Sequence, residues 1–398
     1  MTQRPHLLLS PRAACAWLFV AMVTACGGGV DSGGTGGPTT SFASGAITGF
    51  GSVIVAGVRF DERGASIADA DGNARSRDAL GLGMTIEARG TGIFKDAEGN
   101  DASVATSIVV RSEIVGAVSA NDVAGRTAIV LGQTVETTAA TVFDGGLAHG
   151  QASLRPGDVV EIHGSVDAVT GRYVATRVER RTGVAAFTLR GTVSALDRAA
   201  RTFSIGPTRI SYAALGAVPA SVSDGAQVRV TLAVLPGPGG VWVAQGVGER
   251  APDLDDRDEA KLEGLVSAFT STVQFSIDGR PVDARAAAFP DGTSRLVLGA
   301  RVKAEGTISG GVLVASRVRA ADRDDDGDRE FQVRGAIASL DTAGRTFVVR
   351  NVVVSYSGAV DFRDGSATGL RVGREVDARG MLSSDGTRLQ ATRIDFRD

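Results

Sequence analysis

The feature that most constrains this chain is an internal repeat. A stretch that begins at Leu189, LRGTVSALDRAARTFSI, returns at Val333 as VRGAIASLDTAGRTFVV. Shorter or altered versions surround Gly49, Gly116 and Gly264, so that the anchoring glycines recur at intervals of 67 to 75 residues. Because a fixed period of this kind reflects the architecture of the whole chain, the repeat has to be interpreted before any single motif.

Two further landmarks follow each anchor in the same order. The first is a turn glycine followed by alternating apolar and charged residues, as in VGREVDARG from Val372. The second closes each unit, as in ATRVERR from Ala175. Five units with three ordered landmarks predict five copies of one structure. Since these units exceed the period of about 20–50 residues that is typical of solenoids, we expect small independent domains, arranged like beads on a string.

Each repeat has the pattern of several short strands. Apolar residues alternate with polar neighbours, as in a strand with one buried face. The turn sequences LDRAAR and LDTAGR predict tight connections, since Asp and Gly favour turns, and we expect Phe203 and Phe347 to fill the adjoining cores. The closing stretch breaks strict alternation, which predicts a bulge near Thr176. Because a small sheet loses its edges by closing, the predicted fold class is all-β, with five tandem small β-barrel (OB-like) domains.

The landmarks divide the chain into segments. We expect a signal peptide at residues 1–25 and a flexible Gly-rich tether at residues 26–44. Five β repeats follow, with an acidic linker before each of the last two: residues 45–112, 113–183, 184–250, 251–260 (linker), 261–320, 321–330 (linker) and 331–398.

The amino-terminal segment has the features of an export signal. Arg4 and Arg12 precede an apolar run over residues 13–23, and small residues follow it. The stretch VTAC resembles the lipobox of bacterial lipoproteins, which implies diacylation of the Cys26 thiol; the alternative is an ordinary signal peptide. By the same resemblance, Gly27 favours the outer membrane, facing the periplasm or the cell surface. The other cysteine, Cys15, is in the signal, so the exported repeats are expected to contain no disulfides.

A family resemblance extends over the repeats. RGTVSALD…RTF, VGREVDARG and RLQATRI resemble the bacterial domain of unknown function 5666, which occurs in tandem in exported lipoproteins. The resemblance covers residues 45–398. It implies no activity and identifies no catalytic residues.

The acidic linkers contain the most suggestive ligand chemistry. In the second linker, ADRDDDGDRE, four carboxylates match the start of a calcium loop of the D-x-D-x-D-G type: Asp322, Asp324, Asp326 and Asp328. The twelfth position is Val333 instead of Glu, so the bidentate ligand is missing. A solvated, self-repelling linker is therefore the favoured interpretation, with calcium binding as the alternative.

The remaining polar residues do not form a recognisable catalytic motif. The sequence contains no nucleophile elbow, zinc-binding spacing or phosphate-binding loop. We expect His163 to face solvent on a strand, with metal or acid–base chemistry as the alternative. Arginines recur near the strands and are expected to pair with acids of the second landmark: Arg111, Arg177, Arg180, Arg181, Arg317, Arg319 and Arg393. A net charge of −3 and an aromatic content of 5% argue against nucleic-acid binding.

These observations favour a non-enzymatic, lipid-anchored protein of the cell envelope that serves as a binding or spacer module. The expected partners are the membrane, through the lipid, and an envelope protein or glycan. The alternative is a periplasmic module that binds calcium or a small ligand through the Asp-rich linker. No cofactor other than that calcium ion is expected.

Overall fold

The computed structural model describes residues 39–249, 254–321 and 329–397. Strands account for 55% of the structure and helices for 5%, which confirms the all-β class. All described residues lie in one compact unit, Pro38–Asp398. The predicted signal peptide, Cys26 and the four candidate calcium ligands, Asp322, Asp324, Asp326 and Asp328, lie outside the described residues.

The strands, numbered in chain order, fall into five successive groups that we call repeats 1 to 5. Repeat 1 contains β1 (Thr40–Phe50), β2 (Val53–Val55), β3 (Val58–Asp61), β4 (Ser66–Asp69), β5 (Thr85–Thr91), β6 (Phe94–Lys95) and β7 (Asp101–Val110). Repeat 2 contains β8 (Ile114–Asp122), β9 (Thr127–Val130), β10 (Gln133–Phe143), β11 (Val159–Val166) and β12 (Tyr173–Arg180). Repeat 3 contains β13 (Phe187–Asp197), β14 (Thr202–Ile205), β15 (Thr208–Ser211), β16 (Gln227–Leu232) and β17 (Trp242–Glu249).

The last two repeats have the same organisation. Repeat 4 contains β18 (Arg257–Ser271), β19 (Gln274–Ile277), β20 (Arg280–Asp283), β21 (Arg301–Ser309) and β22 (Val312–Ala321). Repeat 5 contains β23 (Phe331–Ala336), β24 (Ser339–Asp341), β25 (Thr346–Val349), β26 (Val352–Ser355), β27 (Asp361–Arg363), β28 (Glu375–Leu382) and β29 (Leu389–Phe396). The described residues also contain short 3-10 helices at Arg77–Ala79, Gly150–Ser153, Ala213–Leu215, Pro238–Gly240 and Ala367–Gly369. In the part of the chain that the structure describes, no helix is both long and apolar enough to cross a membrane.

Strand pairing follows one cyclic order in every repeat. In repeat 2, β8 pairs with β9, β9 with β10, β10 with β12, β12 with β11, and β11 with β8. The β10–β12 pair is parallel, and the others are antiparallel. The structure contains two small closed barrels of five strands, together with extra strands.

The local predictions for the repeats are confirmed. Phe203 and Phe347 follow the predicted turns and are 1% exposed. On β12, Thr176 is an extra residue between Ala175 and Arg177, so the predicted bulge is present. The other repeats have the same register shift, with the extra residue at Thr106, Gln245, Ser316 and Thr392.

The glycine that ends the second landmark is explained by this bulge. A Cβ on Gly380 would lie 1.9 Å from the carbonyl oxygen of Gln390, and a Cβ on Gly306 would lie 2.0 Å from that of Val314. Atoms cannot approach so closely without a shift of the backbone. The recurring ARG, IHG and AEG sequences therefore place glycine where the bulged strand passes directly over the backbone of its partner.

The prediction of five separate barrels is not confirmed, because strands of different repeats pair with one another. Residues 41–44 of β1 pair in parallel with residues 259–262 of β18, and residues 49–50 of β1 pair in parallel with residues 332–333 of β23. Strand β8 pairs with β13 between repeats 2 and 3. The repeats are therefore docked, and the arrangement as beads on a string is wrong.

The hydrophobic core is shared between repeats for the same reason. Among the described residues, one cluster of buried side chains combines repeats 1 and 5, and a second combines repeats 2 and 3. A third cluster fills repeat 4 and takes in Phe42 from β1. The sequence predicts five self-contained cores, whereas the cores extend across the junctions between repeats.

Two predicted flexible segments overlap with strands. Thr40–Ser44, assigned to the tether by composition, form the start of β1, and residues 257–260 of the first predicted linker begin β18. Both segments are ordered by the parallel pairing of β1 with β18. That pairing joins residues that are 218 positions apart, as in the hydrogen bond from the Thr40 amide to Asp258 Oδ2 at 2.8 Å.

Candidate functional site

Repeats 1 to 4 converge on a cavity of about 270 Å³. Arg111, Arg190 and Arg280 line it together with Glu113 and Asp278. Three guanidinium groups and two carboxylates make these walls strongly charged. We call this cavity the junction cavity.

Glu87 is not a wall residue, but its buried carboxylate binds two of the arginines that line the cavity. Its carboxylate contacts Arg111 Nε at 2.5 Å and Arg111 NH2 at 2.8 Å, and its Oε1 is also bound by Arg280. The side chain is 2% exposed. Burial opposes the ionisation of this carboxyl group, but the positive charges of Arg280 and Arg111 outweigh burial and lower its pKa below the ordinary value of 4.5. The carboxylate therefore remains ionised and fixes the orientation of both arginines.

Other polar contacts fix the repeats around the junction cavity. Ser165 Oγ of repeat 2 donates to Asp278 Oδ2 of repeat 4 at 3.1 Å. Thr176 Oγ1 of repeat 2 donates to the Gly83 carbonyl of repeat 1 at 2.7 Å. A charged pair, Arg229 with Asp71, joins repeat 3 to repeat 1. The cavity walls are thus held by contacts between repeats.

The prediction that His163 faces solvent is wrong. Its side chain is fully buried, because β11 and β12 pack against repeat 1 through the contact of Thr176 with Gly83. The ring Nδ1 lies 2.9 Å from the carbonyl oxygen of Arg111. The Nε2 atom lies 3.7 Å from Glu161 Oε1 and has no hydrogen-bond partner among the residues that the structure describes.

Two buried glutamates accompany His163. Glu161 and Glu179 are paired directly across β11 and β12, and their side chains are 3% and 8% exposed. With His163 they present three ligand atoms within 4.8 Å of one another. We call these residues the Glu–His–Glu cluster.

Arginines contact the carboxylates of the Glu–His–Glu cluster from outside. Arg75 NH2 lies 3.4 Å from Glu161 Oε1, Arg181 Nε lies 3.4 Å from Glu161 Oε2, and Arg177 binds Glu179 Oε1. Burial raises the pKa of Glu179, but the positive charge of Arg177 and its hydrogen bond to the carboxylate lower it further, so that the net pKa is below the ordinary value. The cluster is therefore an anionic pair of carboxylates surrounded by guanidinium groups.

The predicted pairing of arginines with acids of the second landmark is confirmed in three repeats. The pairs are Arg111–Glu87, Arg180–Asp158, Arg181–Glu161 and Arg317–Glu305, at 2.5, 2.9, 3.4 and 3.1 Å. Arg177 and Arg393 instead pair with acids two residues along their own strands, Glu179 and Asp395. The pattern of charges on a single hairpin was sufficient to predict the pairs that join an arginine to an acid of the second landmark.

Sequence reasoning missed the junction cavity and the role of Glu161 and Glu179. A signal for the cluster was present, because Glu161 and His163 are two positions apart and therefore lie on one face of a strand. The hairpin register then places Glu179 opposite Glu161. The junction cavity had no such signal, since its walls come from four repeats.

The fold and the junction cavity define a class of protein: an all-β chain whose repeats dock around a charged junction. Three segments of the chain, residues 115–179, 263–319 and 334–395, match the family model described as Domain of unknown function (DUF5666). They lie in repeats 2, 4 and 5, so the resemblance predicted for residues 45–398 is confirmed in these three segments. Repeats 1 and 3 lie outside the matched segments, although their strands pair in the same order. Comparison with curated proteins gives no match.

Proposed function

We propose that this chain is a non-enzymatic, lipid-anchored binding protein of the bacterial cell envelope, in which docked OB-like repeats hold a small polar ligand in the junction cavity. The observation that carries the proposal is the convergence of four repeats on one charged cavity. A spacer needs only length, whereas here the repeats are held in fixed positions by ion pairs and shared strands. This arrangement supports binding as the function of the folded region.

The chemistry of the walls defines the class of ligand. Arginine presents several donors in a fixed planar geometry and suits carboxylate or phosphate groups. Glu113 and Asp278 add acceptors for hydroxyl or amino groups of the same molecule. The volume is close to the lower end of the range of ligand pockets, about 300–1,000 Å³. We therefore assign the cavity to a single small polar molecule that carries an anionic group, such as an acidic component of an envelope glycan.

Site-specific photo-crosslinking in cells tests the junction cavity. A benzophenone amino acid at Ser221, an exposed residue of the cavity wall, should give a discrete small-molecule adduct after illumination, detected by intact-protein mass spectrometry. The same probe at Val169, which is 62% exposed and is not a wall residue, is the control and should give no such adduct. An unmodified Ser221 variant, or the same adduct at both positions, would count against the cavity as the binding site.

The lipid anchor rests on the VTAC sequence and is tested at the two cysteines. We expect Cys26→Ser to abolish incorporation of labelled palmitate and to move the protein from the membrane pellet to the soluble fraction. Cys15→Ser is the matched control and should retain both label and pellet association, because Cys15 is removed with the signal. Retention of label by Cys26→Ser would contradict the assignment.

A further inference from the structure

We propose that the Glu–His–Glu cluster, formed by Glu161, His163 and Glu179, binds a divalent transition-metal ion of the zinc type. This site is separate from the junction cavity and from the Asp-rich linker. The inference goes beyond the proposed function and does not depend on it. It rests on one buried imidazole nitrogen and on the pairing of two carboxylates across a hairpin.

The hydrogen bond of the imidazole determines which ring nitrogen is available. A carbonyl oxygen can only accept, so the contact of 2.9 Å with Arg111 requires Nδ1 to carry a proton. In the neutral ring Nε2 then has a free lone pair. Metal-binding histidines have this arrangement, with the second nitrogen donating to a carbonyl or carboxylate that fixes the ring orientation. The available nitrogen is fully buried and lies 3.7 Å from Glu161 Oε1.

The glutamates supply the other ligand atoms. Glu161 and Glu179 lie directly opposite each other on β11 and β12, a position in which like charges destabilise a sheet. A cation between them relieves this repulsion. Zinc takes imidazole nitrogen and carboxylate oxygen at about 2.0–2.2 Å, and ligand atoms within 4.8 Å of one another need only small side-chain movements to reach that geometry.

The surrounding arginines determine how tightly the ion is held. Guanidinium groups of Arg75, Arg177 and Arg181 already partly neutralise the two carboxylates, so they oppose the entry of a dication. Arg75 and Arg177 also donate hydrogen bonds to the carboxylates from outside, as the second layer of a metal site usually does. The side chain of Arg181 is 39% exposed, so its movement into water opens a path to the cluster. We therefore expect binding of one ion in the micromolar range, on the order of −8 kcal/mol.

Equilibrium dialysis of the chelator-treated chain against zinc chloride tests this proposal. The wild type should bind one equivalent of zinc, and His163→Asn should weaken binding at least about tenfold. Asn is chosen because its amide can still donate to the Arg111 carbonyl while the Nε2 ligand is removed. His149→Asn, which changes an exposed histidine of the same repeat, is the matched control and should bind zinc as the wild type does.

A second measurement separates loss of the ligand from loss of the fold. Nitrogen NMR of histidine-labelled wild type should show that zinc shifts the Nε2 resonance of His163, while the resonance of Nδ1 remains that of a protonated nitrogen. The proposal is overturned if the wild type binds no zinc at 100 µM, which means binding weaker than about −5.5 kcal/mol. It is also overturned if His163→Asn binds zinc as tightly as the wild type, or if zinc leaves the Nε2 resonance unchanged because a proton occupies that nitrogen.

Discussion

Replacement of Glu87 by Gln is expected to lower the free energy of unfolding by about 3–5 kcal/mol. The carboxylate is 2% exposed and contacts both Arg111 and Arg280. Its removal leaves two partly buried guanidinium groups without their main counter-charge, and this penalty exceeds the loss of a typical hydrogen bond. Chemical denaturation monitored by tryptophan fluorescence and circular dichroism measures the change.

The matched control for Glu87 is an exposed ion pair in repeat 2. Glu136 and Arg172 lie 3.2 Å apart with side chains 37% and 47% exposed, so Glu136→Gln should cost less than about 1 kcal/mol. Equal effects of the two substitutions would contradict the assigned role of Glu87.

The pH dependence of stability follows from the ionisation of the Glu87 carboxyl group. Its folded-state pKa is below the ordinary value of 4.5, so the stability it contributes is fully present above pH 4.5 and is lost as the pH falls through the folded-state pKa. The difference between the wild type and Glu87→Gln should therefore be constant near neutral pH and should shrink on acidification.

The second large effect is expected from Phe42→Ala, which should lower the free energy of unfolding by about 3–5 kcal/mol. Phe42 belongs to β1 of repeat 1, is 1% exposed, and packs in the core of repeat 4. The guanidinium carbons of Arg89 and Arg280 lie 5.8 Å from the centre of its ring. Truncation leaves a cavity at the junction and removes these contacts.

Hydrogen exchange distinguishes docked repeats from independent ones. In Phe42→Ala the amides of β18 and β21 in repeat 4 should lose protection, although the substitution lies more than 200 residues earlier in the chain. Phe94→Ala, at a residue that is 51% exposed, is the control and should change stability by no more than about 0.5 kcal/mol. Loss of protection confined to repeat 1 would contradict the shared core.

Local structure was predictable from the sequence because its causes are local. Alternation with period two and the Asp- and Gly-containing turns predicted the hairpins that bury Phe203 and Phe347. A break in alternation predicted the bulge at Thr176. Each of these features depends on residues within one hairpin. The same sequence pattern occurs in several repeats, which strengthens the prediction of each feature.

The docking of the repeats on one another was not predictable from alternation or turn sequences. Apart from Phe42, the start of β1, Thr40–Ser44, consists of small and polar residues that resemble a tether. These residues are nevertheless mostly buried, because β18 covers one edge of the strand and β5 covers the other. His163 was misplaced for the same reason, since a face that is exposed in a single barrel becomes buried when repeat 1 packs on it.

The position of repeat 1 at the start of the chain has a consequence for how the protein assembles. β1 precedes the other strands during synthesis, but it pairs with β18 and β23, which are completed more than two hundred residues later. Until then the edge of β1 remains available to strands of other copies, which is a known route to aggregation. Contacts this distant in sequence also slow folding. Completion of the carboxyl-terminal repeats is therefore the step that protects the first one.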